Sequence, residues 1–417
     1  MLDLNIWVLW VSAATCAYMA WNIGANDVAN AMGTSVGSHA INLRQAVLLA
    51  AVFEFAGAFL VGGHVTNTVR KGIVSPDVFA DNPEVFILGM MAALLASGIW
   101  LNLSTFLGLP VSTTHSIVGS IVGFGLLVGG LTAIKWGKLG SIVLSWFVSP
   151  LCGGLVGFLT FLLVKRTVLA AWNPVRAANR VVPILLFPVI SVLVLSMIYK
   201  GLKNINLDVP FKQALLIAIG CGLAAYLVMR LFLARKFSDR PSRRKDAFDQ
   251  VEGIFAYLQV GTACYVAFAH GANDVANAIG PFAAIVSVFQ SGSVEMKVGV
   301  PVWILALGGL GIVVGLATWG YRVIETIGKK ITIITPSRGF SAEFATATTV
   351  LVCSKLGLPV STSHTLVGSV IGVGMARGLA ALNLRVIRNI VNSWLITVPA
   401  TALFTVLVFT VLRLIVL

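Results

Sequence analysis

The chain has 417 residues, 58% of them hydrophobic and only 11% charged, with a mean hydropathy of +0.95. Soluble proteins carry about 25% charged residues, so this composition excludes a water-soluble globule. The formal net charge of +14 would suit a nucleic-acid partner, but in a membrane chain basic loops gathered on one side of the bilayer account for it, and no nucleic acid is expected.

A bilayer crossing needs about 20 apolar residues. Such runs lie near 5–23, 43–62, 85–106, 112–130, 140–164, 183–200, 212–233, 253–270, 300–320, 340–354, 361–380 and 389–412. They predict an all-α integral membrane protein of about 12 transmembrane helices, with some motif-bearing segments broken or re-entrant. With odd-numbered loops in the cytoplasm, 19 of the 29 basic residues fall on that side, seven of them between Arg230 and Lys245. The expected setting is a multi-pass protein of the cell (inner) membrane, the central basic loop cytoplasmic and both termini outside. Met1-Leu2-Asp3-Leu4 carries no basic start, which argues against a cleaved signal peptide. The five cysteines all sit in apolar runs without a C-x-x-C pair, as small packing residues do.

The chain repeats itself. Gly24-Ala25-Asn26-Asp27-Val28-Ala29-Asn30-Ala31 recurs unchanged as Gly271 to Ala278, 247 residues later. Leu107 to Gly125 and Leu356 to Gly374 match at 13 of 19 positions at an offset of 249. This predicts a first repeat over 1–164, two linking helices and a short basic loop over 165–249, and a second repeat over 250–417. Five crossings per repeat and two between them make an odd number, so the repeats should be inverted about an axis in the membrane plane, with a site between them.

Asp27 and Asp274 bring carboxylates into apolar surroundings, where an ionised Asp is costly unless paired. The nearest Lys or Arg in sequence are Arg44 and Lys297, so the partner is another helix or a bound cation. Asn26, Asn30, Asn273 and Asn277 add carbonyl oxygens, and Asp27 and Asn30 share a helix face. Gly24 and Gly33 would let the backbone break there. Hard cations such as Na+ favour all-oxygen surroundings, which makes Asp27, Asn30, Asp274 and Asn277 candidate metal ligands.

Pro110 to His115 and Pro359 to His364 read P-V-S-T-[TS]-H. The proline disfavours helix in the residue before it, and the hydroxyls that follow are good N-caps. A helix start with free N–H groups and hydroxyls binds anions without a basic residue. Facing each other, Ser112, Thr113, Thr114, Ser361, Thr362 and Ser363 would surround a tetrahedral oxyanion with six hydroxyls. His115 and His364 are candidates for proton relay or for packing. Ser112, His115 and Asp27 could be imagined as a hydrolytic triad, but no nucleophile elbow accompanies them and a duplicated triad would serve no purpose.

Glu54 and Glu343 also lie in apolar context but do not align across the repeats. They are expected off the symmetric centre, in coupling or gating. His39, His64 and His270 are not duplicated and read as interface or packing residues.

The doubled G-A-N-D-V-A-N-A and P-V-S-T-[TS]-H strings closely resemble those of the inorganic phosphate transporter (PiT) family, over both repeats. The resemblance implies inorganic phosphate as substrate, cation symport, probable homodimers in the lipid bilayer and no enzyme activity or cofactor. It also implies functional weight for Asp27, Asn30, Asp274, Asn277, the S-T-[TS]-H runs, Glu54 and Glu343, with Asn26 and Asn273 beside the phosphate. The short central loop departs from larger members and leaves no room for an elaborate regulatory domain. Two carboxylates and a phosphate would bring three to four negative charges together with no adjacent basic side chain, which favours two or more Na+ as coupling ions. Proton coupling, sulfate as substrate and an anion channel are the alternatives.

Overall fold

The computed structural model describes residues 6–63, 73–109, 111–201, 209–237, 244–294, 300–324, 334–378 and 382–416. Among these, twelve α-helices form and no β-strand. They are α1 (Ile6–Gly37), α2 (Leu43–Val61), α3 (Pro83–Phe106), α4 (Thr113–Gly129), α5 (Trp136–Val164) and α6 (Pro174–Ser196). The chain continues with α7 (Phe211–Lys236), α8 (Arg244–Ser291), α9 (Val302–Trp319), α10 (Pro336–Lys355), α11 (Thr362–Met375) and α12 (Leu384–Val416). Each falls on one of the twelve apolar runs. Pro110, His64 and the centre of the basic loop (238–243) lie outside the described residues.

Two helices run past the ends expected of them. α1 and α8 continue straight through the repeated motif, and the break expected at Gly24 and Gly33 does not form. Gly24 and its counterpart Gly271 serve close packing instead. A Cβ on Gly24 would overlap the carbonyl of Ile312 in α9, and one on Gly271 would overlap the carbonyl of Glu54 in α2. Small residues at a helix crossing let backbones approach, which is the main source of association between helices in lipid.

The chain breaks at the hydroxyl motifs. Gly108 and Gly357 adopt φ of 65° and 70°, the left-handed cap that glycine takes without strain. Gly108 N–H donates to Thr105 O (3.0 Å) and Leu109 N–H to Ser104 O (2.9 Å), closing α3 in a Schellman turn. Gly357 to Ser354 and Leu358 to Cys353 repeat it at the end of α10, at 3.1 and 3.0 Å. The chain restarts at Thr113 and Thr362, with Ser112 and Ser361 as N-caps accepting from His115 N–H and His364 N–H. Arm packs on arm in each hairpin, joined by Ser97–Ser120 (2.8 Å) and Thr346–Ser369 (3.1 Å).

The two hairpins meet tip to tip. Thr114 Oγ1 donates to Val360 O at 3.2 Å and Ser363 Oγ to Val111 O at 3.3 Å. They do so at the height of Glu54 and Ile312, which lie near the middle of α2 and α9. Each hairpin therefore returns to the side from which it came. The traverse falls to the other eight helices: three in each copy and two between them. The five crossings counted per repeat become three and a re-entrant hairpin, and the odd parity survives. α1 and α8 are accordingly antiparallel, Asp27 lying beside His270 and Cys16 beside Ala278.

Packing interlocks the copies. α1 packs on α9, α2 on α8, α4 on α12 and α5 on α11, each pair taking one helix from either copy. The motifs thus meet in one shared core rather than in two domains. α7 stands outside it, burying only Ala214, Ala218, Gly222 and Leu233.

Candidate functional site

At the meeting point of the tips, the motif residues of α1 and α8 face the hydroxyls of α4 and α11. Asp27 Oδ1 accepts from Asn30 Nδ2 (2.9 Å) and from Ser363 Oγ (3.2 Å), and Asn30 Nδ2 also donates to Ser363 Oγ at 2.7 Å. Across the centre, Asn277 Nδ2 donates to Thr113 Oγ1 and Thr114 Oγ1 at 3.3 and 3.2 Å. Asp274 Oδ2 accepts from Thr362 Oγ1 at 2.7 Å. Each copy's asparagine therefore touches the other copy's hydroxyl run. All of these side chains are buried.

Some oxygens in this group make no hydrogen bond among the described residues, although Asp27 Oδ2 lies 3.9 Å from His270 Nε2. Asp27 Oδ2, Asn30 Oδ1 and Asn277 Oδ1 are buried without a hydrogen-bond partner among the described residues. Buried polar atoms are nearly always satisfied, so such orphans call for an explanation. Carboxylate, amide carbonyl and hydroxyl oxygens together are the donor set a hard cation takes.

Asn26 and Asn273 are engaged differently. Asn26 Nδ2 donates to Thr105 Oγ1 and Leu109 O, and its Oδ1 accepts from Val111 N–H. Asn273 Nδ2 donates to Val360 O and Asp274 Oδ1, and its Oδ1 accepts from Ser354 Oγ. Each anchors the tip of its own copy's hairpin against the motif helix, so their polar atoms are already committed to protein partners.

His270 corrects the sequence reading. Taken there as packing, it stands at the centre, its Nε2 3.1 Å from Asp274 Oδ2 and 3.9 Å from Asp27 Oδ2, its Nδ1 3.2 Å from Glu54 Oε1. The site therefore does hold a basic side chain, although no Lys or Arg among the described residues. Glu54, expected off-centre, is brought to the edge of the motif by the α2–α8 crossing. His270 lies four residues before Asp274, on the same helix face. That spacing, together with Ile23 at the matching place in the first copy, was the available signal.

Glu343 does lie apart. Its Oε1 accepts from Thr34 Oγ1 (2.6 Å), Ser35 Oγ (2.6 Å) and Gln259 Nε2 (2.9 Å), and its Oε2 from Thr262 Oγ1 (2.6 Å). Thr34, Ser35, Gln259 and Thr262 were not singled out in the sequence. Behind the hydroxyl runs, the His115 and His364 rings lie 4.3 Å apart, His115 tilted against Trp146 (3.7 Å) and His364 stacked on Trp394 (3.5 Å). His115 thus faces away from Asp27, and no triad with Ser112 is assembled. His39 is in the turn after α1.

Residues 23–405 match the profile of the Phosphate transporter family. The chain belongs to that family. A putative phosphate permease of Haemophilus influenzae is 45% identical over 408 residues, covering 98% of this chain and 97% of that one. The chloroplastic inorganic phosphate transporter 2-1 of Arabidopsis thaliana is 46% identical over 415 residues, 94% of this chain and 70% of its own. Among solved structures, one described as the sodium-dependent phosphate transporter is 43% identical, with a TM-score of 0.91 over 98% of this chain and 99% of that chain. A phosphate transporter needs a site that binds a polyanion and then lets it go. A helix start with N–H and O–H donors is able to bind such an anion without a Lys or Arg.

Proposed function

We propose that this phosphate transporter imports inorganic phosphate by symport with Na+, the anion bound between the hairpin tips and the cations beside it. Ser112, Thr113 and Thr114, with Ser361, Thr362 and Ser363, present hydroxyls and first-turn N–H groups to the phosphate oxygens. Asp27 with Asn30, and Asp274 with Asn277, hold Na+. The single observation that carries this is the set of orphaned oxygens on Asp27, Asn30 and Asn277, buried next to the two helix starts. Oxygens without donors await a cation, and N–H groups at a helix start await an anion.

Charge explains the coupling. Asp27, Asp274, Glu54 and a phosphate exceed what His270 alone can offset, and uncompensated charge in a low-dielectric core is costly. Na+ therefore raises the affinity for phosphate, and phosphate that for Na+. Glu343, held by four protein donors 2.6–2.9 Å away, lies off this centre and serves an ion on its way in or out. His115 and His364 join the two tips mechanically, so that the hairpins move together. The repeats over 1–164 and 250–417 rock about the shared centre, with the basic loops in the cytoplasm, both termini outside and the protein a homodimer in the inner membrane.

The test is radiolabelled phosphate uptake into proteoliposomes under independently imposed Na+ and H+ gradients. An inward Na+ gradient should drive accumulation and an H+ gradient alone should not. Accumulation driven by H+ alone would replace Na+ as the coupling ion, and flux without accumulation would indicate a channel.

A further inference from the structure

The second hairpin carries a cation at its tip. Lys355 closes α10, and its neighbour Ser354 bonds Asn273, so Lys355 stands at the height of the motif itself. It is exposed, between exposed Val352 and Leu356, and it makes no hydrogen bond, ion pair or ring contact among the described residues. The equivalent residue of the first tip is Phe106. The cation nearest that residue, Arg322, is already committed, its guanidinium 5.6 Å from the Phe106 ring and 5.0 Å from Trp319.

A lysine at the ends of a span can reach the headgroups, but at mid-height an unpaired ammonium belongs in a water-filled recess. The favourable position of a cation at a helix C-terminus does not remove that cost. The substrate is an anion and its binding site contains no Lys or Arg, so attraction from a distance has to come from outside the site. A charge on the wall of a low-dielectric cleft focuses the field and raises the arrival rate of an oppositely charged ligand.

We propose that Lys355 is the recruiting residue of this transporter: it draws phosphate from the aqueous recess to the second hairpin tip and hands it to the Ser361–Ser363 hydroxyls. This rests on the phosphate site proposed above. Lys355 acts on arrival and not on the bound complex, which separates it from the residues that hold the anion.

The experiment compares K355Q, K355R and wild type in proteoliposomes and in detergent. At low ionic strength K355Q should lower kcat/KM for phosphate about tenfold, K355R should retain most of the rate, and added choline chloride should narrow the gap. Equilibrium phosphate affinity of K355Q at saturating Na+ should stay within about twofold of wild type, since arrival and departure slow together. In protein with Cys152 and Cys221 replaced by Ala, K355C should react with a membrane-impermeant cationic methanethiosulfonate and recover uptake, whereas the anionic reagent should depress it further. Uptake of K355Q indifferent at every ionic strength overturns the inference. So does a K355C thiol inert to the impermeant reagents, as expected if Lys355 contacts lipid headgroups, and so do rate and affinity falling by one factor. The Ser361, Thr362 and Ser363 to Ala variant tests the underlying site separately: unchanged affinity there removes the phosphate site, whatever Lys355 does.

Discussion

The two copies agree at the centre and part company around it. Asp27 and Asp274, Asn30 and Asn277, and the two hydroxyl runs occupy matching places. Next to them, His270 Nδ1 of the second copy lies 3.2 Å from Glu54 Oε1 of the first, while at the symmetry-related crossing the matching residues are buried Ile23 of the first copy and Ile312 of the second. The pocket around Glu343 has the same one-sidedness. Thr34, Ser35 and Glu343 correspond to Pro281, Phe282 and Leu94, the last two fully buried in the apolar core. A symmetric centre can face either side of the membrane with similar contacts. Polar groups present at one crossing and absent from its symmetry mate give the two orientations different energies, which an ion-coupled cycle requires.

The largest effect should come from the shared centre. Asp27→Asn and Asp274→Asn should each abolish Na+-driven uptake in proteoliposomes while the purified protein stays monodisperse. Wild-type Na+ dependence in both would remove the carboxylates from the ion sites. Next, replacing Ser112, Thr113 and Thr114 with Ala should weaken phosphate binding by no more than several kcal/mol, because the backbone N–H groups remain. Equilibrium binding at saturating Na+ checks it, and unchanged affinity would contradict the assignment.

The divergent region offers a sharper comparison. His270→Ile alone leaves Glu54 buried and unpaired, and breaking a buried pair from one side costs about 3–5 kcal/mol. The double change of His270 and Glu54 to Ile, which makes the α2–α8 crossing resemble the α1–α9 crossing, should unfold at a higher temperature than the single variant. Thermal unfolding in detergent decides the order; a less stable double variant would mean that the pair is not the reason for the loss. The smallest effect on binding is expected at Glu343. Glu343→Gln should bind phosphate almost normally and transport it slowly. If binding and transport fall together by the same factor, Glu343 belongs to the central site.

Much of this was legible in the sequence because two signals are strong in a membrane chain. Apolar length placed all twelve helices, and an exact duplication placed the motifs that meet at the centre. The local breaks were legible in part: L-G-L before each hydroxyl run is a Schellman end followed by an N-cap, although proline was read as the cause. Three things could not be read. Whether Gly24 bends a helix or admits a neighbour depends on which helix crosses there, and only the packing of α9 against α1 decides that. The role of His270 depends on Glu54, over 200 residues away, and on a crossing that no periodicity reveals. The donors around Glu343 come from two helices far apart in sequence, α1 and α8, and each is an unremarkable Ser, Thr or Gln in its own segment.

The central claim is that phosphate and Na+ share one site, with a cation at each aspartate. Phosphate affinity measured at equilibrium over a range of Na+ concentrations, in wild type and in Asp27→Asn, tests it most directly. The slope of log Kd against log Na+ concentration should be about minus two in wild type and about minus one in the variant, by linkage between the ligands. A slope that is the same in both proteins, or zero in wild type, would contradict the account.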